Sequence, residues 1–98
     1  MFSREKKLDL MRGLMWDYHF PPEQCLEVLE GKRQYVGHYD EEKLFRKLLE
    51  SYRWYTILGI LPLHRINELL NDQLIQTLRF NSLKTRYEFI RNRLQKLI

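Results

Sequence analysis

An all-α chain is what this sequence calls for, and three features of it say so. Glycine (4) and proline (3) are scarce among its 98 residues, which argues against turn-rich β architecture. Apolar residues recur at spacings of three and four along most of the chain, the period of a helix with one buried face. Ser, Asp and Asn also stand just before several of those periodic stretches, where their side chains can take up the free N–H groups of a first helical turn. The length fits one domain. It expects a compact orthogonal array of six or seven short helices with a longer C-terminal helix.

Ser3 is placed to cap the first helix. Leu8, Met11, Met15 and Tyr18 form its inner stripe, widened by Leu10 and Leu14. Pro21 and Pro22 end it near Tyr18 and open a second helix, because a missing N–H costs nothing in a first turn. Cys25, Leu26 and Leu29 face inward there, and Gly31 is its natural stop. Residues 32–39 have no helical period and read as a loop. Asp40 caps a third helix, with Glu41 and Glu42 at the positive end of its dipole. Leu44, Phe45, Leu48, Leu49 and Tyr52 give the clearest core stripe. Residues 54–61 are apolar nearly all round, so a central and most buried fourth helix is expected, ended by Pro62. Leu63, Ile66, Leu69 and Leu70 line the inner side of a fifth. Asn71-Asp72 marks a stop and a new cap before a short sixth helix carrying Leu74, Ile75 and Leu78. Asn81 or Ser82 caps the last helix, whose stripe is Leu83, Tyr87, Ile90, Leu94 and Leu97.

Charge is uneven. The net value is +4, yet residues 79–98 carry six Lys/Arg against Glu88 alone. One cysteine excludes an internal disulfide. The longest apolar run, about ten residues from Trp54, is too short to span a bilayer. The N-terminus has no run of signal-peptide character. These features place the chain in the cytoplasm, with no membrane association expected.

Little in the sequence points to catalysis. His19, Cys25, His38 and His64 match no zinc spacing, so no metal is expected. Cys25 sits on an apolar helix face, where thiols are usually inert. Glu23/Glu27/Glu30 and Asp40/Glu41/Glu42 fall on solvated faces and first turns. No glycine-rich phosphate loop is present. No enzyme activity, cofactor or small-molecule substrate is expected.

Two binding surfaces are expected instead. The loop residues Lys32, Arg33, Tyr35, His38 and Tyr39 mix cations with aromatics, the composition of protein interfaces. The competing reading is that Tyr35, Val36 and Tyr39 fold back onto the core. Lys84, Arg86, Arg91 and Arg93 lie off the apolar stripe of the last helix and could neutralise phosphates. Residues 72–79, 80–82 and 83–93 also have the outline of a helix-turn-helix. A merely solvated basic face explains the same charges. A protein-interaction module, binding another protein or a second copy of itself, is the leading expectation, and nucleic-acid binding the second.

Leu14-Met15-Trp16-Asp17-Tyr18, followed by helical stretches at 44–49, 54–61 and 66–70, resembles a family of small uncharacterised bacterial helical proteins with a Leu-x-Trp-Asp-Tyr motif. Genes of that family often lie beside nucleotidyltransferase-type toxin genes. The resemblance implies an antitoxin-like or accessory role. The chain departs from the family pattern in a longer insert at 20–40 and in Arg86-Tyr87-Glu88-Phe89, where the family has an Asn-Phe-Trp cluster. Trp16-Asp17-Tyr18 is expected to act as an aromatic anchor at a helix end.

Overall fold

Ser3, Asp40 and Asn71 begin helices as their side-chain oxygens require. In the computed structural model, which describes residues 1–97, each accepts a hydrogen bond from the backbone N–H three residues on, at 3.2, 2.8 and 2.9 Å. Seven helices result: α1 Arg4–Leu14, α2 Pro22–Glu30, α3 Glu41–Ser51, α4 Trp54–Ile60, α5 Leu63–Leu69, α6 Asp72–Gln76 and α7 Asn81–Leu97. The longest is the last, as expected. An isolated bridge between Val36 and Tyr39 is the only β pairing among the described residues. No helix among them is long and apolar enough to cross a membrane.

Helix ends follow backbone chemistry. The α2 stop uses Gly31 at φ 82°. The Lys32 N–H donates to the Glu27 carbonyl at 2.8 Å and the Gly31 N–H to Val28 at 3.1 Å, the paired bonds of a Schellman ending. Helix α1 stops at Leu14, four residues before the predicted end, and residues 15–18 form a turn with the Tyr18 N–H on the Met15 carbonyl. The prolines are therefore not what ends it. Asn71 caps α6 and Asp72 is its first residue. Neither Asn81 nor Ser82 caps α7. Both lie within its first turn, and the Phe80 carbonyl receives the Leu83 and Lys84 N–H groups at 3.1 Å.

One continuous core joins the helices. Leu44, Phe45, Leu48 and Leu49 of α3 are buried, as their stripe predicts. Each such side chain contributes about 1.5–3 kcal/mol by leaving water. Helix α4 is a correction. Only Ile57, Gly59 and Ile60 are buried in it, Tyr55 is exposed and Trp54 and Leu58 are half-buried. It packs into the core on one side and is not enclosed all round. Of Trp16-Asp17-Tyr18, Tyr18 is the anchor, half-buried against the core, while Asp17 is exposed and Trp16, against expectation, is 81% exposed.

Polar ties cross between elements. Arg65 of α5, half-buried, donates its Nε–H to the Leu29 carbonyl at the end of α2 at 2.8 Å. Its other nitrogens reach Glu41 at the start of α3 and Glu68 of its own helix. The Tyr52 hydroxyl donates to the Leu10 carbonyl of α1 at 2.6 Å. The Phe2 N–H donates to the Gly59 carbonyl of α4 at 2.8 Å.

The loop at 32–39 closes as a tight reversal around Gly37 and His38. Val36 and Tyr39 exchange two backbone hydrogen bonds of 3.0 Å. Gly37 has φ 59°, and a Cβ there would enter the Phe20 ring. Both the left-handed backbone and the ring demand glycine. Gly37→Ala is expected to lower unfolding stability by about 1–3 kcal/mol, read as a drop in urea midpoint with unchanged slope; an unaltered midpoint would show that the ring and backbone adjust freely.

Candidate functional site

Helix α7 carries two apolar stripes, and one is left uncovered. At 100° per residue, Leu83, Tyr87, Ile90 and Leu94 form the stripe that meets the core. Phe89 and Leu97 lie along a neighbouring stripe, with Arg93 midway between them. Helix α6 packs against the other flank, where Asp72 pairs with Arg91 and Gln76 with Glu88. On the Phe89 side, the second half of α7 faces α4 and the start of α5. There an open groove of about 330 Å³ forms. Trp54 and Leu58 of α4 and Leu63 of α5 form one side. Phe89, Ile90, Arg93, Leu94 and Leu97 form the other.

The groove is apolar and largely in solvent. Phe89 is 63% exposed, Leu97 79% and Leu63 44%. Leu63 and Leu97 were expected in the core, and both instead belong to this groove. An exposed, contiguous apolar patch of this kind is the feature that marks interaction surfaces. Arg93 is the only charged residue in the lining, and its guanidinium lies 5.8 Å from the centre of the Phe89 ring. That contact holds the long side chain against the groove wall. Beneath it, Trp54 meets the edge of the buried Tyr87 ring at 6.2 Å. The Tyr87 hydroxyl is buried with no hydrogen-bond partner among the described residues. Leu58 also borders a second depression, with Met1, Phe2, Tyr55 and Gly59. The apolar surface thus continues across α4 to the N-terminal segment.

The predicted loop site divides in two. Lys32, Arg33 and Tyr35 stand on a polar cleft of about 470 Å³ that Asp40, Glu41 and Glu42 also line. Lys32 pairs with the largely buried Glu30 at 3.4 Å, and Arg33 pairs with Glu27 at 3.6 Å in an exposed contact of small energetic weight. His38 and Tyr39 turn away and join an aromatic cluster with Tyr18 and Phe20. Tyr18 and Phe20 stack at 5.4 Å, Tyr39 meets Tyr18 edge-on at 5.6 Å, and Lys47 lies 6.0 Å from the Tyr18 ring centre. Val36 is buried and Tyr39 half-buried, so that part of the loop does fold back, while Tyr35 stays 54% exposed.

The four basic residues of α7 do not share a face. Lys84 and Arg91 lie on one flank of the core stripe and Arg86 and Arg93 on the other, roughly half a turn of the helix apart. Lys84 and Arg91 are half-buried. Arg91 pairs with Asp72 of α6 at 3.2 Å, Arg93 lies against the Phe89 ring with its side chain exposed, and Arg86 is exposed. The spacing that separates the flanks was readable in the sequence. The Asp72 pairing was not, since it depends on how α6 lies across α7.

The other chemistry-bearing groups are dispersed. No cluster of three or more His, Cys, Asp or Glu side chains among the described residues has the geometry to hold a metal. Cys25 is fully buried, and that burial pushes its thiol pKa up, which keeps it protonated at neutral pH. Compared with known proteins, the chain matches no family model, no curated sequence and no solved structure.

Three tyrosines tie stability to pH. The hydrogen bond with the Tyr18 hydroxyl, followed by burial, pushes Tyr39 up to about 12. Burial raises Tyr52 and Tyr87. An unfolded phenol ionises near pH ~10, so folding favours the protonated form of each. That contribution is whole below pH ~10 and is lost as pH climbs through the raised folded values. Urea midpoints should therefore hold up to about pH 9 and fall from about pH 10 towards pH 12, less steeply for Tyr87→Phe. At neutral pH Tyr87→Phe should match or exceed the parent by up to ~1 kcal/mol, because it removes an unpartnered buried hydroxyl. A large loss would mean that the hydroxyl does find a partner.

Proposed function

We propose that this chain is a non-enzymatic protein-interaction module that uses the groove between α4, α5 and α7, in the antitoxin-like or accessory role implied by its Leu14-to-Tyr18 motif. The groove carries the reading. A domain of 98 residues has little apolar surface to spare, yet this one leaves Phe89, Leu97 and Leu63 in water beside a half-buried Trp54. That exposure costs solubility and is useful when another protein covers it. Aromatic side chains in a concave apolar setting, with one arginine among them, have the composition of an interface centre. The Lys32–Arg33–Tyr35 cleft, with opposite charges facing across it, is the secondary contact surface.

The reading makes the groove and the loop separable. Phe89→Glu with Leu97→Glu should abolish capture of a partner from native lysate while the circular dichroism spectrum keeps its helical form. Both side chains are mostly in solvent, so the fold does not need them. Tyr35→Ala should reduce capture only modestly. A partner held equally well by the groove variant would refute the assignment, as would a chain that stays alone in both light scattering and capture.

A further inference from the structure

The groove itself limits what can occupy it. From Phe89 to Leu97 is eight residues of α7, about 12 Å along the axis, which is roughly two turns of a second helix. Stable interfaces between globular faces take roughly 20–30 residues a side, and the groove offers eight. A short helical segment laid in with anchors at i, i+3 or i+4, and i+7 matches this size.

Charge selects further. Neither the groove nor the depression that continues from it across Leu58 has an Asp or Glu in its lining. Arg93 lies in the groove wall. Arg86 precedes it by two turns on the same flank of α7, exposed. At the far end of the apolar surface, Lys6 lies 5.8 Å from the centre of the Phe2 ring. Glu88, the one acid of α7, points the other way and bonds Gln76 of α6. A second copy docking through the same face would set two cationic surfaces with no acid in their lining against each other, which like-charge repulsion opposes. A lipid surface prefers apolar groups on a convex face, whereas Trp54 and Leu58 line the wall of a groove.

We propose that the groove receives a short amphipathic helix of a partner protein, with apolar anchors on one side and acidic residues flanking them. This rests on the groove reading above and specifies its partner. Arg93 and Arg86 pair with the acidic flank, and Phe89, Leu97 and Trp54 take the anchors.

Trp54 gives a direct signal. The chain has two tryptophans, so Trp16→Phe leaves Trp54 as the sole reporter. Titrate that variant with three synthetic helical peptides of about 14 residues, each with leucines at i, i+4 and i+7 and flanked by Glu, Gln or Lys. The expected result is a saturable Trp54 blue shift, with the Glu peptide binding about tenfold more tightly than the Lys peptide at low salt. Arg93→Glu should reverse that order, and Phe89→Ala should weaken all three. Equal binding of the Glu and Lys peptides would overturn the acidic partner while leaving the groove reading in place. No response to any peptide would remove both. A Trp54 shift with phosphatidylglycerol vesicles but not with the Glu peptide would overturn the proposal in favour of a membrane surface.

Discussion

Shortness is the constraint under which everything else in this domain operates. Helices α4, α5 and α6 have seven, seven and five residues, and a helix of that length does not hold in water by itself. Each exists because something outside it completes its backbone and covers its apolar side. Arg65 does this most broadly. Its guanidinium closes an open carbonyl at the end of α2, holds the acidic start of α3 and pairs within α5. An isolated surface ion pair contributes little, but a guanidinium that also satisfies a backbone carbonyl serves two requirements at once. Tyr52 on Leu10 and Phe2 on Gly59 repeat the principle at α1 and α4. The domain is a set of marginal pieces tied at their ends, with the α3 stripe as the common floor.

The same shortness explains what was legible in the sequence. Caps and stops are local chemistry, so Ser3, Asp40, Pro22 and Gly31 announced their helices correctly. The α3 stripe was equally plain, because its apolar and charged faces do not mix. Burial in α4, α5 and α7 was not readable in this way. Periodicity says that one side of a helix is apolar without saying whether anything covers it. Leu63 and Leu97 fit their stripes, yet they are exposed because no helix lies over the side of α7 that carries Phe89, Arg93 and Leu97. Tyr55 and Trp54 looked central because their helix is apolar, but only one side of that helix is enclosed.

The candidate site was less legible than the fold for a related reason. The loop at 32–39 drew notice through composition, and the structure splits it into a polar cleft and an aromatic cluster. The partners of that cluster, Tyr18 and Phe20, come from the connection before α2. The groove was written in the sequence as a surplus: α7 has Phe89 and Leu97 beyond what one buried stripe needs. Apolar residues in excess of a helix's core stripe are the signal to look for when one side of a long helix is left uncovered.

Each of the four glycines sits against one large side chain. The Tyr52 hydroxyl is 2.9 Å from where a Cβ of Gly13 would stand, Arg65 presses on Gly31, the Phe20 ring on Gly37 and the Phe2 ring on Gly59. At Gly31 and Gly37 the positive φ holds glycine in place whatever its neighbour does. At Gly13 and Gly59 a larger residue requires the facing Tyr52 or Phe2 to shift or shrink. Drift at those two sites would therefore run in couples, with the second change following the first.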